Sequence, residues 1–336
     1  MSLIYQQVWR ELEQERLRAE KALAERLAFL YDKLPEIKAI DDEMAEIGLQ
    51  IAKSVLRPSS ILHASNSIAD LQRRSDELSR RRTELLYDNG YDETFFDDVY
   101  NCAECKDTGR AGGGQERCRC VKQRIVGKYY KMSNLDKVLE RENFDAFNLN
   151  YYSDVADIAH GISPRDNMSR IYSIATRFVD DFDKKFENLL MYGGTGLGKT
   201  FLSNCIAKDL LDAGKTVLYT TAGQLFKMVE NQRFGRGKDE MSETDSAFLA
   251  LVTEVDLLII DDLGTEFATV VTTSELFSYI NTRLLNEKST IISTNLEPAD
   301  FEEQYSDRLT SRLFGQYYQL RFFGDDIRIG KKYGVL

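Results

Sequence analysis

The sequence predicts an α/β fold with a parallel sheet in its C-terminal half, preceded by a four-cysteine module and an N-terminal, coiled-coil-like helical region. Three observations predict it. Gly193–Thr200 reads G-G-T-G-L-G-K-T, set between an apolar run and a helical stretch. Two further apolar runs, Leu257-Leu258-Ile259-Ile260 and Ile291-Ile292, end in polar residues. Buried parallel strands have this texture where they open onto a ligand crevice. Upstream, Cys102, Cys105, Cys118 and Cys120 crowd into nineteen residues.

Composition narrows the class. The chain has 336 residues, 43% of them hydrophobic, enough for two domains with a buried core. No apolar run approaches the ~20 residues of a membrane span. The first ten residues are polar and lack the basic start and apolar centre of a signal peptide, so a cytoplasmic protein without membrane association is expected. A net charge of −11 argues against a chain wrapped in nucleic acid. Two basic runs stand against that total: residues 73–82, and residues 117–131 with Tyr129 and Tyr130. Each reads either as a binding surface or as a solvated helix face.

Residues 1–90 read as a helical, partner-binding region. Leu23, Leu27, Leu30, Leu34 and Ile37 step by four and three, and Ile40, Met44, Ile47 and Ile51 resume the stepping. Pro35 predicts a kink or restart. Pro58 and the serines up to Ser67 predict a loop, and Ile68, Leu71, Leu78, Leu85 and Leu86 form a second stripe ended by Asn89-Gly90. The two stripes can fold back as an antiparallel hairpin. Residues 91–125 form the cysteine module, 126–160 a connector, and 161–336 the α/β domain.

The glycine-rich loop implies phosphate chemistry. Glycines let the backbone curl until its N–H groups converge, and the helix that starts there adds positive potential. In this reading Gly193, Gly194, Thr195, Gly196, Leu197 and Gly198 cradle the phosphates of ATP. Lys199 reaches the β and γ phosphates, and Thr200 places its hydroxyl on Mg²⁺. Asp261, at the end of the second apolar run, would hold Mg²⁺ through water, and Asp262 would act as base toward the attacking water. Glu266 is a spare base. Asn295, ending the third run, suits a contact with the γ-phosphate or that water. These parts make an ATPase. An aspartate at 262, a methylene shorter than glutamate, fits slow turnover.

The cysteines have the spacing C-x2-C-x12-C-x-C, with Gly112–Gly114 allowing the chain to turn back. Reduced thiols in a cytosolic protein read as a metal site before they read as disulfides. Four thiolates with no open position indicate structural Zn²⁺. An iron–sulfur cluster is the metal alternative. Cys205, alone in a helical pattern, reads as core.

Taken together, the loop at 193–200, Asp261-Asp262-Leu263-Gly264, Ser293-Thr294-Asn295, Asp307–Arg312 and the cysteine module resemble the bacterial helicase loaders of the DnaC/DnaI family of AAA+ ATPases. The resemblance covers residues 100–336. It implies an AAA+ P-loop domain with a reduced lid, in which Asn295 is sensor 1 and Arg312 enters a neighbouring subunit's ATP site, with Arg308 as runner-up. Arg328 is the late candidate for a sensor 2 arginine. The partners implied are a replicative DNA helicase, single-stranded DNA, and further copies of the chain joined through their ATP sites. A DNA-contacting helix after the second strand is implied at Leu225–Lys238, with Lys227, Arg233, Phe234, Arg236 and Lys238. Two other functions stay open: a transposition ATPase of the IstB branch acting on duplex DNA, and a binding protein that uses ATP as a switch with negligible turnover.

Overall fold

The computed structural model describes residues 3–56, 61–91, 95, 99–111, 114, 116–132, 135–234 and 240–333. The chain divides into two compact units: Trp9–Cys118, and Met1–Val8 together with Arg119–Leu336.

The helical unit is built from most of α1 (Leu3–Lys33), α2 (Pro35–Leu56) and α3 (Ile61–Asp88). The break falls at Pro35, which opens α2, because a helix's first turn needs no N–H from proline. α2 and α3 run antiparallel. Leu30, Ile37 and Leu86 form one buried cluster, and Ile40, Ile47 and Leu78 a second. These are the residues of the two apolar stripes. Arg74 pairs with Glu43, Arg81 with Glu36 and Arg82 with Asp41. Those three arginines of the basic run at 73–82 are therefore the charged flank of the hairpin. One boundary differs from expectation. α3 begins at Ile61, not after Ser67, because no glycine or proline follows Pro58 to stop a helix there. The unit ends in a short hairpin, β1 (Arg110–Ala111) with β2 (Glu116–Arg117).

The second unit continues with α4 (Arg119–Met132), α5 (Leu135–Leu139), a 3-10 turn at Leu149–Tyr151 and α6 (Pro164–Asp180). In α4, Val121, Ile125, Val126 and Tyr130 are buried, and Tyr129 meets Phe248 edge-on at 5.3 Å. The aromatics of the second basic run are thus packed inward, along an i, i+4 apolar stripe, and are not a stacking surface.

The sheet holds β3 (Leu189–Gly193), β4 (Val217–Thr221), β5 (Leu257–Leu263), β6 (Ser289–Thr294) and β7 (Tyr318–Phe322), all parallel, in the order β4-β5-β6-β3-β7. Its core residues, such as Leu189, Leu190, Leu257, Ile259, Ile291 and Ile292, are fully buried. Helices α7 (Lys199–Asp212), α8 (Ala222–Phe234), α9 (Glu240–Glu254) and α10 (Val270–Leu285) connect successive strands. α11 (Pro298–Gln304) and α12 (Asp307–Gln316) precede β7, and α13 (Ile327–Lys332) follows it. Arg283 of α10 is fully buried and donates to the carbonyls of Val252, Val255, Asp256 and Ser289 and to Thr290 Oγ1. It thereby fixes the starts of β5 and β6, and with them the strand ends at the opposite pole.

β3 has β6 on one side and β7 on the other, so the chain leaves β3 at a point where the strand order reverses. Crevices for ligands form at such points, beyond the carboxyl ends of the strands.

Candidate nucleotide site and cysteine cluster

A cleft of about 870 Å³ opens beyond the ends of β3, β5 and β6. Thr195–Phe201, Asp261, Asp262 and Asn295 line it. The loop after β3 owes its path to glycine. Gly193 has φ 130°, and a Cβ there would lie 2.0 Å from Phe322 O. Gly198, at φ 96°, caps α7, and a Cβ there would come 2.6 Å from the Tyr152 hydroxyl. Residues with a side chain rarely adopt such conformations.

Lys199, the first residue of α7, is buried. Its Nζ donates to Gly193 O, Gly194 O and Asn295 Oδ1, each at 2.7 Å. Burial pulls its pKa down to about 8 against the opposing pull of Asp262 and Asp261. Thr200 Oγ1 donates to Asp261 Oδ2 at 2.9 Å. The structure therefore brings Lys199, Thr200, Asp261 and Asn295 into one cluster, from two strand ends and a helix start.

The two aspartates form a bulge. Ile260 pairs with Ile292 and Leu263 with Thr294, so Asp261 and Asp262 together oppose Ser293. Such two-against-one pairing kinks a strand and re-aims side chains. Asp262 takes a left-handed conformation, φ 56°. Its N–H donates to Ser293 Oγ at 2.9 Å, while Ser293 Oγ donates to Asp261 Oδ1. Burial, then the neighbouring Asp261, push the Asp262 carboxyl above its ordinary range, with Lys199 opposing. A half-buried carboxylate raised in this way suits proton acceptance. Glu266 is engaged elsewhere: it accepts from Gly264 N and from the Tyr305 hydroxyl.

Thr200 and Asp261 present hard oxygen donors beside the phosphate loop, a donor set that fits Mg²⁺. Bound there, the ion would supply charge neutralisation between phosphate oxygens.

Arg312 lies apart from this cleft's lining. Its guanidinium stacks over Phe277 at 4.6 Å, and Nε donates to Asn281 Oδ1 at 3.0 Å, both on α10. Arg328 does line the cleft, on α13, as does Lys331, whose Nζ sits 3.8 Å from the Tyr151 ring centroid. Of the expected DNA-contacting helix, Lys227 and Arg233 lie on α8, and Arg233 pairs with Glu275. The side chain of Phe234, and Arg236 and Lys238, lie outside the described residues.

Sequence reasoning passed over one wall of the cleft. Glu142, Phe147, Tyr151 and Tyr152 come from the stretch expected as a connector. The Tyr152 hydroxyl donates to Leu197 O at 3.1 Å, and Phe147 stacks on Tyr152 at 6.3 Å. The density of aromatics at Phe144–Tyr152 was the available signal.

The four cysteines converge. Their sulfurs all lie within 4.8 Å of one another, and none forms a disulfide. Cys102 and Cys118 sulfurs are 3.8 Å apart. A tetrahedral zinc with Zn–S bonds of about 2.3 Å has S–S edges of roughly 3.8 Å, so the quartet fits that ion. The local fold supports it. Asp107, at φ 57°, accepts from Asn101 N and Cys102 N at 2.9 Å each. Gly109 N points at Cys105 Sγ, 3.3 Å away, and the hairpin returns the chain through Cys118 N to Gly109 O. Gly112 and Gly113 lie outside the described residues.

The chain resembles known proteins over part of its length. The chain is 33% identical over 144 residues to a chromosomal replication initiator protein DnaA of Jannaschia sp., covering 42% of this chain and 29% of that protein. It is 23% identical over 215 residues to a replicative helicase loader DnaC of Buchnera aphidicola, covering 64% of this chain and 83% of that one. The chain thus spans under a third of the initiator but most of the loader. Among solved structures, one of DnaI aligns with a TM-score of 0.45 at 21% identity, over 56% of this chain and 94% of that chain. Among the described residues no helix is long and apolar enough to cross a membrane. Residues 122–318, more than half of the chain, match the IstB-like ATP binding protein family, and the protein belongs to it.

Proposed function

We propose that this protein is an ATP-hydrolysing loader of a replicative DNA helicase. The observation that carries the ATPase reading is the convergence of Lys199, Thr200, Asp261 and Asn295 on one cleft. The loader reading draws on the likeness to the DnaC of Buchnera aphidicola, of which the chain spans 83%.

In this reading the amides of Gly193–Gly198 and the Lys199 ammonium neutralise the phosphates. Lys199 exchanges its bonds with Gly193 O, Gly194 O and Asn295 for phosphate oxygens. Thr200 and Asp261 hold Mg²⁺, Asp262 takes the proton of the attacking water, and Asn295 orients that water. Arg312 is presented by α12 to a neighbouring copy, which makes turnover slow until subunits assemble on helicase or DNA. Residues 1–90 engage the helicase. Residues 91–125, with zinc on Cys102, Cys105, Cys118 and Cys120, link them through 126–160 to the ATPase at 161–336. Single-stranded DNA runs along the helix after β4.

The test is light scattering on a size-exclusion column of the full chain with the replicative helicase of its host, with and without ATP, beside a chain lacking residues 1–90. A complex that needs residues 1–90 is expected. The absence of a complex in every nucleotide condition would overturn the loader reading. The family assignment favours a second reading, an IstB-type transposition ATPase, and a preference for duplex over single-stranded DNA in the same preparation would select it.

A further inference from the structure

Asp261 lies near the carboxyl end of β5, the strand between β4 and β6, and both neighbours hold it. From β4, the Tyr219 hydroxyl donates to Oδ2 at 2.7 Å. From β6, the Ser293 hydroxyl donates to Oδ1. Thr200 adds a third hydroxyl, on the same oxygen as Tyr219. Asp261 is 2% exposed, so these donors stand in for water around a buried carboxylate.

We infer that Tyr219, with Ser293, is a positioning residue that aims Asp261 at Mg²⁺. The inference rests on the nucleotide site proposed above. Its logic is the sharing of Oδ2 by two hydroxyls, one beside the phosphate loop and one on β4. A Thr200 hydroxyl that gives a lone pair to the metal keeps its O–H for Asp261, but it is then placed by the ion. Tyr219, placed by the sheet through β4, donates to the same oxygen and keeps the carboxylate from rotating away from the ion. The Tyr219 hydroxyl therefore matters when metal is bound and little when it is not. A residue that only packs the core would matter equally in both states.

Calorimetric titration of the full-length chain with ATP, in EDTA and over a series of Mg²⁺ concentrations, tests this. Tyr219→Phe keeps the ring and removes the donor. The expected result is unchanged affinity in EDTA and an Mg²⁺ half-saturation raised on the order of ten-fold, the scale of one hydrogen bond to a charged group. An unchanged Mg²⁺ half-saturation would overturn the inference, as would an equal loss of affinity with and without metal. Wild-type chain that binds no ATP at all would remove the nucleotide reading itself, which separates the two failures. Should Tyr219→Phe not fold, Ser293→Ala repeats the titration from the other side of Asp261, with the same expected and overturning results.

Discussion

The Lys199 ammonium and the Asn295 amide oxygen meet at 2.7 Å, across 96 residues of sequence. One belongs to the phosphate loop and the other to the end of β6, so a single hydrogen bond reports that two strand ends are in register for chemistry. The pair separates two roles. Lys199→Ala removes the loop's only side-chain cation, and nucleotide affinity should fall at least about ten-fold, measured by ATP titration. Asn295→Ala removes a group that orients the attacking water. It should lower turnover by about a hundred-fold while leaving affinity nearly unchanged. Equal effects on binding and turnover in Asn295→Ala would place the amide with the ground-state phosphate contacts.

Arg312 stacks on Phe277 and bonds Asn281, so its own subunit holds it on α12 outside the cleft lining. Arg312→Ala should lower turnover by on the order of a hundred-fold or more with little change in ATP affinity. The cost to stability should be only about 0.5–1 kcal/mol, the scale of an exposed cation–π contact. Mixing decides whether it acts between subunits. Lys199→Ala chains keep the arginine and Arg312→Ala chains keep the loop, so a mixture should regain activity that neither has alone. No recovery in assemblies shown to contain both chains would assign Arg312 a role within its own subunit.

The cysteine quartet should carry about one zinc per chain, read by elemental analysis of freshly prepared, reduced protein. Cys118 is fully buried, and Cys118→Ser should release the ion and lower the melting temperature. Visible absorbance from an iron–sulfur cluster, or an empty site, would overturn the zinc assignment.

Much of the site was legible because its parts are written as contiguous signals. The loop at 193–200, the apolar runs of β5 and β6 and the cysteine spacing each encode a local geometry that needs few distant partners. What escaped was encoded only in the tertiary structure. Tyr219 occupies an ordinary alternating position of a strand, and nothing local distinguishes it until β4 lies beside β5. Glu142–Tyr152 carries no period, because a single 3-10 turn capped by Asn148 shapes it. β7 is half exposed and polar at Gln319 and Arg321, which weakens its strand pattern. The bulge at Asp261-Asp262 is likewise invisible in a run of apolar residues ending in two acids.

The pole of the sheet opposite the cleft supplies a stability test. Asp256, just before β5, accepts from Thr216 N at 2.9 Å, Thr216 Oγ1 at 2.8 Å and Lys288 Nζ at 3.1 Å, tying the starts of β4, β5 and β6. Burial alone would raise its carboxyl, but the bonds from Thr216 and Lys288 outweigh it and hold the pKa below its ordinary 3.8. A carboxylate with a depressed folded pKa stabilises the fold fully above its unfolded pKa and loses that contribution as pH falls through the folded one. Asp256→Asn should therefore lower stability by about 1–3 kcal/mol at neutral pH. The gap between variant and wild type should close as pH drops below the ordinary aspartate value. Urea unfolding of both proteins at a series of pH values reads it. A gap that stays constant into acid would mean that Asp256 contributes through shape, and that its charge adds nothing to the tie between the three strands.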